Sequence, residues 1–138
     1  METKPSEATE QRVRETLQRV ANTWTLLVLD GLDGEGPTRF SVLRDRVPGI
    51  THKMLTQTLR SLERDGLVVR TVFAEVPPRV EYELTAMGEK LNEATCSFWK
   101  WVERYSVKVE AARVAYDSRA KGRDSTPWQK PKPMRRVG

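Results

Sequence analysis

The chain has 138 residues, 38% hydrophobic and 31% charged, with a formal net charge of +5. That is one domain's worth of chain, with enough apolar residues for a real core. Its longest apolar run, Trp24 to Leu29, is far too short to span a bilayer. A single cysteine excludes an intrachain disulfide and suits a reducing cytoplasm, and the N-terminus, with Glu2, Glu7 and Glu10 around Lys4, lacks the apolar stretch of a signal peptide.

Residues 1–10 are polar and expected to be loosely ordered. From Arg12 the apolar positions Val13, Leu17, Val20, Trp24 and Leu27 step by four, three, four and three. This predicts one helix to about Leu32, with Leu26 to Leu29 apolar all round and deeply buried. Three glycines and a proline between Gly31 and Pro37 make a turn. Thr38 is expected to cap a short helix whose Phe40, Leu43 and Val47 face inward, and Pro48-Gly49 ends it. A further helix follows at once, opened by Thr51 as cap and closed by Gly66. Leu55, Leu59 and Leu62 share its inner face; His52, Lys53, Thr56, Gln57 and Arg60 share the outer one, with no acidic residue before Glu63. Two short helices across a tight Pro-Gly turn, the second basic on its outer face, form the helix-turn-helix pattern. Such a face suits a DNA major groove; the competing reading is an ordinary solvated surface.

Beyond Gly66 the pattern is extended. Leu67 to Phe73 is β-branched and aromatic, Val80 to Leu84 alternates, and Ala74 to Arg79, with adjacent prolines Pro77 and Pro78, is the loop of a hairpin. Thr85 caps a last helix running from Ala86 to about Ala120. In it Phe98, Val102, Tyr105, Val109, Ala112 and Tyr116 step by four, three, four, three and four, a 3.5-residue repeat that Leu91 and Ala94 extend backwards. A helix of roughly 30 residues is about 45 Å long, more than a small winged domain covers. The seam is therefore expected to meet a partner helix, most simply that of a second subunit; the alternative is a helix folded back over its own core. Residues 121–138 are a basic, proline-interrupted tail, expected to be disordered or extended. The fold so read is α+β, mainly α: a winged helix-turn-helix domain over residues 11–120, with a two-stranded wing and a long C-terminal dimerisation helix at 86–120.

Charge follows the same map. Residues 119–138 hold seven Lys or Arg against Asp124, a charge of +6, so the remainder of the chain is about neutral at −1. Within the remainder, residues 39–70 hold seven Lys or Arg against Asp45, Glu63 and Asp65, a local excess around the basic helix that favours a polyanion partner.

Several stretches closely resemble HxlR-type winged-helix transcriptional regulators: Trp24-Thr-Leu-Leu-Val-Leu29, Gly36-Pro-Thr-Arg-Phe-Ser-Val-Leu43, the run from Pro48 to Leu59, Leu62-Glu-Arg-Asp-Gly-Leu-Val68, the run from Val76 to Thr85, and Gly88. The resemblance covers roughly residues 20–102, with the motifs in the family's order and spacing. It implies a bacterial or archaeal homodimer that binds operator DNA. There are two departures. The cysteine that many members carry near the start of the first helix, where it senses electrophiles or oxidants, is absent, so thiol sensing there does not carry over. The usual Gly-Lys before the tryptophan is Asn22-Thr23.

On this reading the basic helix lies in the major groove of double-stranded DNA, with Thr51, His52, Lys53, Thr56 and Gln57 nearest base edges. Gln57 suits adenine N6 and N7, a contact giving about 1–3 kcal/mol of discrimination. Thr51 is a cap first. Arg60 and Arg39 are expected at phosphates, and Arg79, after two prolines, in or over the minor groove. The alternatives are a surface arginine at 39 and an ion pair of Arg79 with Glu75 or Glu81. Leu17 joins Phe98, Val102, Tyr105, Val109, Ala112 and Tyr116 in the expected dimer interface. One histidine and one cysteine build neither a zinc site nor a catalytic dyad, and no glycine-rich phosphate loop occurs, so no metal, cofactor or enzymatic activity is expected. Cys96, mid-helix, reads as a structural thiol. The expectation is a cytoplasmic, nucleoid-associated, sequence-specific regulator, a homodimer on a palindromic operator answering to an unidentified small-molecule effector. The alternative is a winged-helix protein-interaction module without specific DNA binding.

Overall fold

The computed structural model describes residues 4–34 and 36–122. The chain divides into two compact units between Phe98 and Trp99.

The first unit opens with two helices where the apolar spacing predicts one. Helix α1 (Glu7–Val20) begins inside the stretch expected to be loosely ordered, because Ser6 caps it: its Oγ accepts from the Thr9 amide at 3.3 Å. Helix α2 (Thr23–Gly31) is separate, because the Asn22 side chain accepts from the Trp24 amide at 2.9 Å and starts a new helix. The four-residue step from Val20 to Trp24 conceals this break, since a cap can sit inside an apolar rhythm without disturbing it. Val28 and Leu29 are fully buried while Leu26 and Leu27 are only partly so, and α1 has no buried residue.

Thr38 does not cap a helix. It forms the two-residue strand β1 (Thr38–Arg39), buried and paired with Tyr82, and its hydroxyl donates to the Gly36 carbonyl. Helix α3 (Phe40–Arg46) then starts without a side-chain cap. Helix α4 (His52–Arg64) has the expected cap: Thr51 Oγ1 accepts from the Met54 amide at 3.1 Å. It ends before Gly66, whose φ of +75° is the left-handed conformation that glycine adopts without a side-chain clash.

Strands β2 (Val68–Phe73) and β3 (Arg79–Leu84) form the expected antiparallel hairpin, but the sheet has three strands in the order β1-β3-β2. Arg79 is the first residue of β3 and pairs with Phe73, rather than standing in the loop. The core is one cluster drawn from every layer: Val28, Leu29 and Leu32 of the α2 region, Leu43 and Val47, then Ile50, Leu55, Leu59 and Leu62, closed by Leu67, Val68 and Leu84. Removing that apolar area from water at about 25 cal/mol per Å² is what fixes α4 against α2 and the hairpin root.

Helix α5 (Ala86–Lys121) is capped as expected, with Thr85 Oγ1 accepting from the Gly88 amide at 3.1 Å. In its first-unit portion Gly88, Asn92 and Thr95 are buried and Leu91 packs partly against the core. In the second unit Val102 and Tyr105 are half-buried and the remaining seam residues are exposed. Tyr105 lies beside Trp101, with ring centroids 5.5 Å apart, and beneath Arg104 and Lys108. Apart from Lys121 and Gly122, the basic tail lies outside the described residues. No described helix is long and apolar enough to cross a membrane.

Candidate nucleic-acid interface

The strongest functional surface is the outer face of α4. Its inner residues Leu55, Leu59 and Leu62 are fully buried, so the helix cannot rotate without exposing core, and the opposite side chains have fixed directions. Lys53, Gln57 and Arg60 are exposed on that opposite face, and none has a hydrogen bond or ion pair among the described residues. They are unspent donors and acceptors on a rigid support.

The neighbouring polar residues are less free. Thr51 gives its hydroxyl to the cap. Thr56, half-buried, donates its hydroxyl to the His52 carbonyl at 2.8 Å, leaving its methyl and an oxygen lone pair to contact anything outside. His52 is exposed at the helix start, its ring 4.7 Å from that of Phe40, so α3 orients it. Arg39, the residue at the start of α3, is exposed, with no partner among the described residues.

Arg79 is committed elsewhere. Its guanidinium stacks 4.1 Å above the Phe73 ring, with Nη2 3.4 Å from Glu75 and Nε 3.5 Å from Glu81, the last an ion pair without hydrogen-bond alignment. This is the alternative set against the groove contact, and it comes from cross-strand pairing with Phe73, which places the ring beneath the arginine.

One further basic residue borders this surface. Arg70 on β2 is exposed and unpaired among the described residues, and with Arg60 it lines a hollow between α4 and the sheet. Strand alternation was the available signal, since Arg70 lies two residues beyond buried Val68 and so on the same side.

Of the residues expected at a dimer interface, Val102 and Tyr105 are half-buried and the other five are open. Leu17 is 55% exposed, Phe98 52%, Val109 45% and Tyr116 64%, and Ala112 is exposed. Among the described residues no three His, Cys, Asp or Glu are grouped to hold a metal.

The HxlR-like helix-turn-helix family model matches residues 19–110. The chain is 42% identical over 100 residues to the uncharacterized HTH-type transcriptional regulator YtfH of Escherichia coli, covering 72% of this chain and 79% of that one. Among solved structures, the putative transcriptional regulator YtfH from Salmonella typhimurium superimposes with a TM-score of 0.69 at 38% identity, over 80% of this chain and 98% of that one. The reduced form of the redox regulator HypR gives 0.65 at 36% identity, over 72% and 98%. The family match and the identity to YtfH, together with the capped helix α4 and its hairpin, fix the assignment: the chain belongs to the HxlR-like helix-turn-helix family of transcriptional regulators.

Proposed function

We propose that the protein is a cytoplasmic, sequence-specific DNA-binding regulator acting as a homodimer on a palindromic operator. The observation that carries this reading is the rigid outer face of α4, where Lys53, Gln57 and Arg60 are exposed and unpaired among the described residues. Gln57 and Lys53 read base edges, with His52 and the Thr56 methyl beside them; Arg60 and Arg39 hold phosphates. Arg79 shapes the wing and does not itself enter the minor groove, because its charge is already shared with two carboxylates. The exposed seam of α5, with Leu17 of α1, joins two subunits so that two copies of α4 enter successive major grooves about 34 Å apart. An effector, a small molecule of unidentified chemistry, controls the dimer by binding its two arrangements differently. Thiol sensing as in a redox regulator is not part of this reading, because the only cysteine is Cys96.

The test is selection of duplexes from a random-sequence pool by the full-length protein, followed by titration at several salt concentrations. An inverted repeat should be enriched, its affinity should fall as salt rises, and Lys53→Ala, Gln57→Ala and Arg60→Ala should each weaken it. A pool that stays random, or affinity indifferent to these substitutions, would overturn the proposal in favour of a protein-interaction module.

A further inference from the structure

The hollow between α4 and the hairpin, about 430 Å³, is lined by Thr56, Leu59, Arg60 and Glu63 of the helix and by Arg70 and Tyr82 of the sheet. Strand register builds it. Val68 pairs with Leu84 at the buried hairpin root, so Arg70 and Tyr82 pair two residues further out on the same, helix-facing side. Tyr82 still packs partly against the core, but Arg70 is exposed with no carboxylate partner among the described residues; Arg60, across the hollow, is in the same position. Two guanidinium groups from separate elements thus border one open space, opposed only by Glu63. Two like charges that border one hollow with a single carboxylate beside them favour an anion between them, and arginine grips phosphate oxygens with paired N–H donors. The Thr56 hydroxyl adds nothing as a donor, being used on the His52 carbonyl.

We propose that Arg60 and Arg70 clasp one backbone phosphodiester of duplex DNA in this hollow, which makes Arg70 a DNA-contacting residue. The clasp rests on the DNA-binding reading above, and the fold selects the ligand. A helix in the major groove and a wing over the adjoining minor groove straddle the strand that separates the grooves, and that strand passes between α4 and the hairpin. The contact is blind to sequence. It sets how far α4 advances into the groove, and so the register in which Lys53 and Gln57 meet the bases.

The experiment uses the full chain and the duplex it enriches from a random pool, with thermal unfolding as a check that each variant is folded. Arg70→Gln should weaken binding about tenfold at low salt. It should also reduce the slope of log affinity against log salt, by at most about 0.9 per clasp because Arg60 still faces the phosphate, while Arg70→Lys restores the slope. Glu63→Gln should tighten binding. Replacing backbone phosphates one at a time with neutral methylphosphonates should reveal a position that weakens the wild type more than it weakens Arg70→Gln, where Arg60 alone still faces that phosphate, which distinguishes a DNA phosphate from a free anion. A folded Arg70→Gln variant with an unchanged slope overturns the clasp while leaving the DNA reading intact, as does weaker binding by Glu63→Gln or the lack of any such methylphosphonate position. Failure to enrich any duplex overturns the DNA reading and the clasp together.

Discussion

Thr51 and Gly88 each do one local job on which the interface depends. Thr51 satisfies the Met54 amide at the start of α4, so Thr51→Ala should cost about 0.5–2 kcal/mol of stability and Thr51→Ser should recover most of it, read as shifts in a urea unfolding midpoint. Gly88 is buried with the Leu67 carbonyl where a β-carbon would stand. Gly88→Ala must therefore push the start of α5 away from Leu67, at the entry to β2. A loss of about 1–3 kcal/mol is expected by calorimetry, and an unchanged melting temperature would contradict the packing described. The Thr51 cap and the outward placement of Lys53 and Gln57 were legible because a helix fixes side-chain direction by spacing alone. The placements of Arg70 and Arg79 were not, because they depend on which strand residues face each other, and hairpin register is set by long-range packing against Leu84 and the core.

At the scale of elements, the segments with an apolar face of their own were readable, while a two-residue strand and a break inside an apolar rhythm were not. The inward faces of α3 and α4 and the hairpin follow from apolar period, but β1 is two residues long and exists only because Thr38 and Arg39 find Tyr82 and Glu81 on β3. No local pattern encodes such a pairing. The α1–α2 break was hidden for a related reason: a single asparagine, using its side chain as a cap, outweighs an uninterrupted apolar rhythm. The wing carries its own prediction. Arg79 bridges Glu75, Glu81 and the Phe73 ring, so it braces the base of the loop. Arg79→Gln should lower DNA affinity through a looser wing yet leave the salt slope unchanged, whereas a phosphate contact would lower the slope by about 0.9. The ion pairs are partly exposed, so the cost to global stability should stay below about 1 kcal/mol.

For the whole molecule, the deciding fact is apolar surface without cover. Helix α1 buries none of its residues, and Val13 and Leu17 share an exposed stripe on it. Its one ion pair to the rest of its unit among the described residues is Arg19 to Asp65 at 3.2 Å, an exposed contact of the kind that contributes about 0–1 kcal/mol. A helix of this length is marginal in water without packing. On α5, Phe98, Val109 and Tyr116 continue the 3.5-residue seam and are about half exposed or more. Such a repeat on a 36-residue helix has the form of one side of a helix–helix interface. Under the proposed homodimer reading, a second copy would supply the same stripe and the same seam, and a twofold interface built from them would be self-complementary. Val102→Asp and Val109→Asp should then give monomers by sedimentation, with operator binding weakened because the second recognition helix is no longer tethered. Arg19→Ala should leave the dimer intact, since the proposed interface draws on the apolar stripe and seam rather than on that ion pair. An unchanged dimer in both aspartate variants would show that the seam lies elsewhere, and the spacing of the two α4 helices would need another origin.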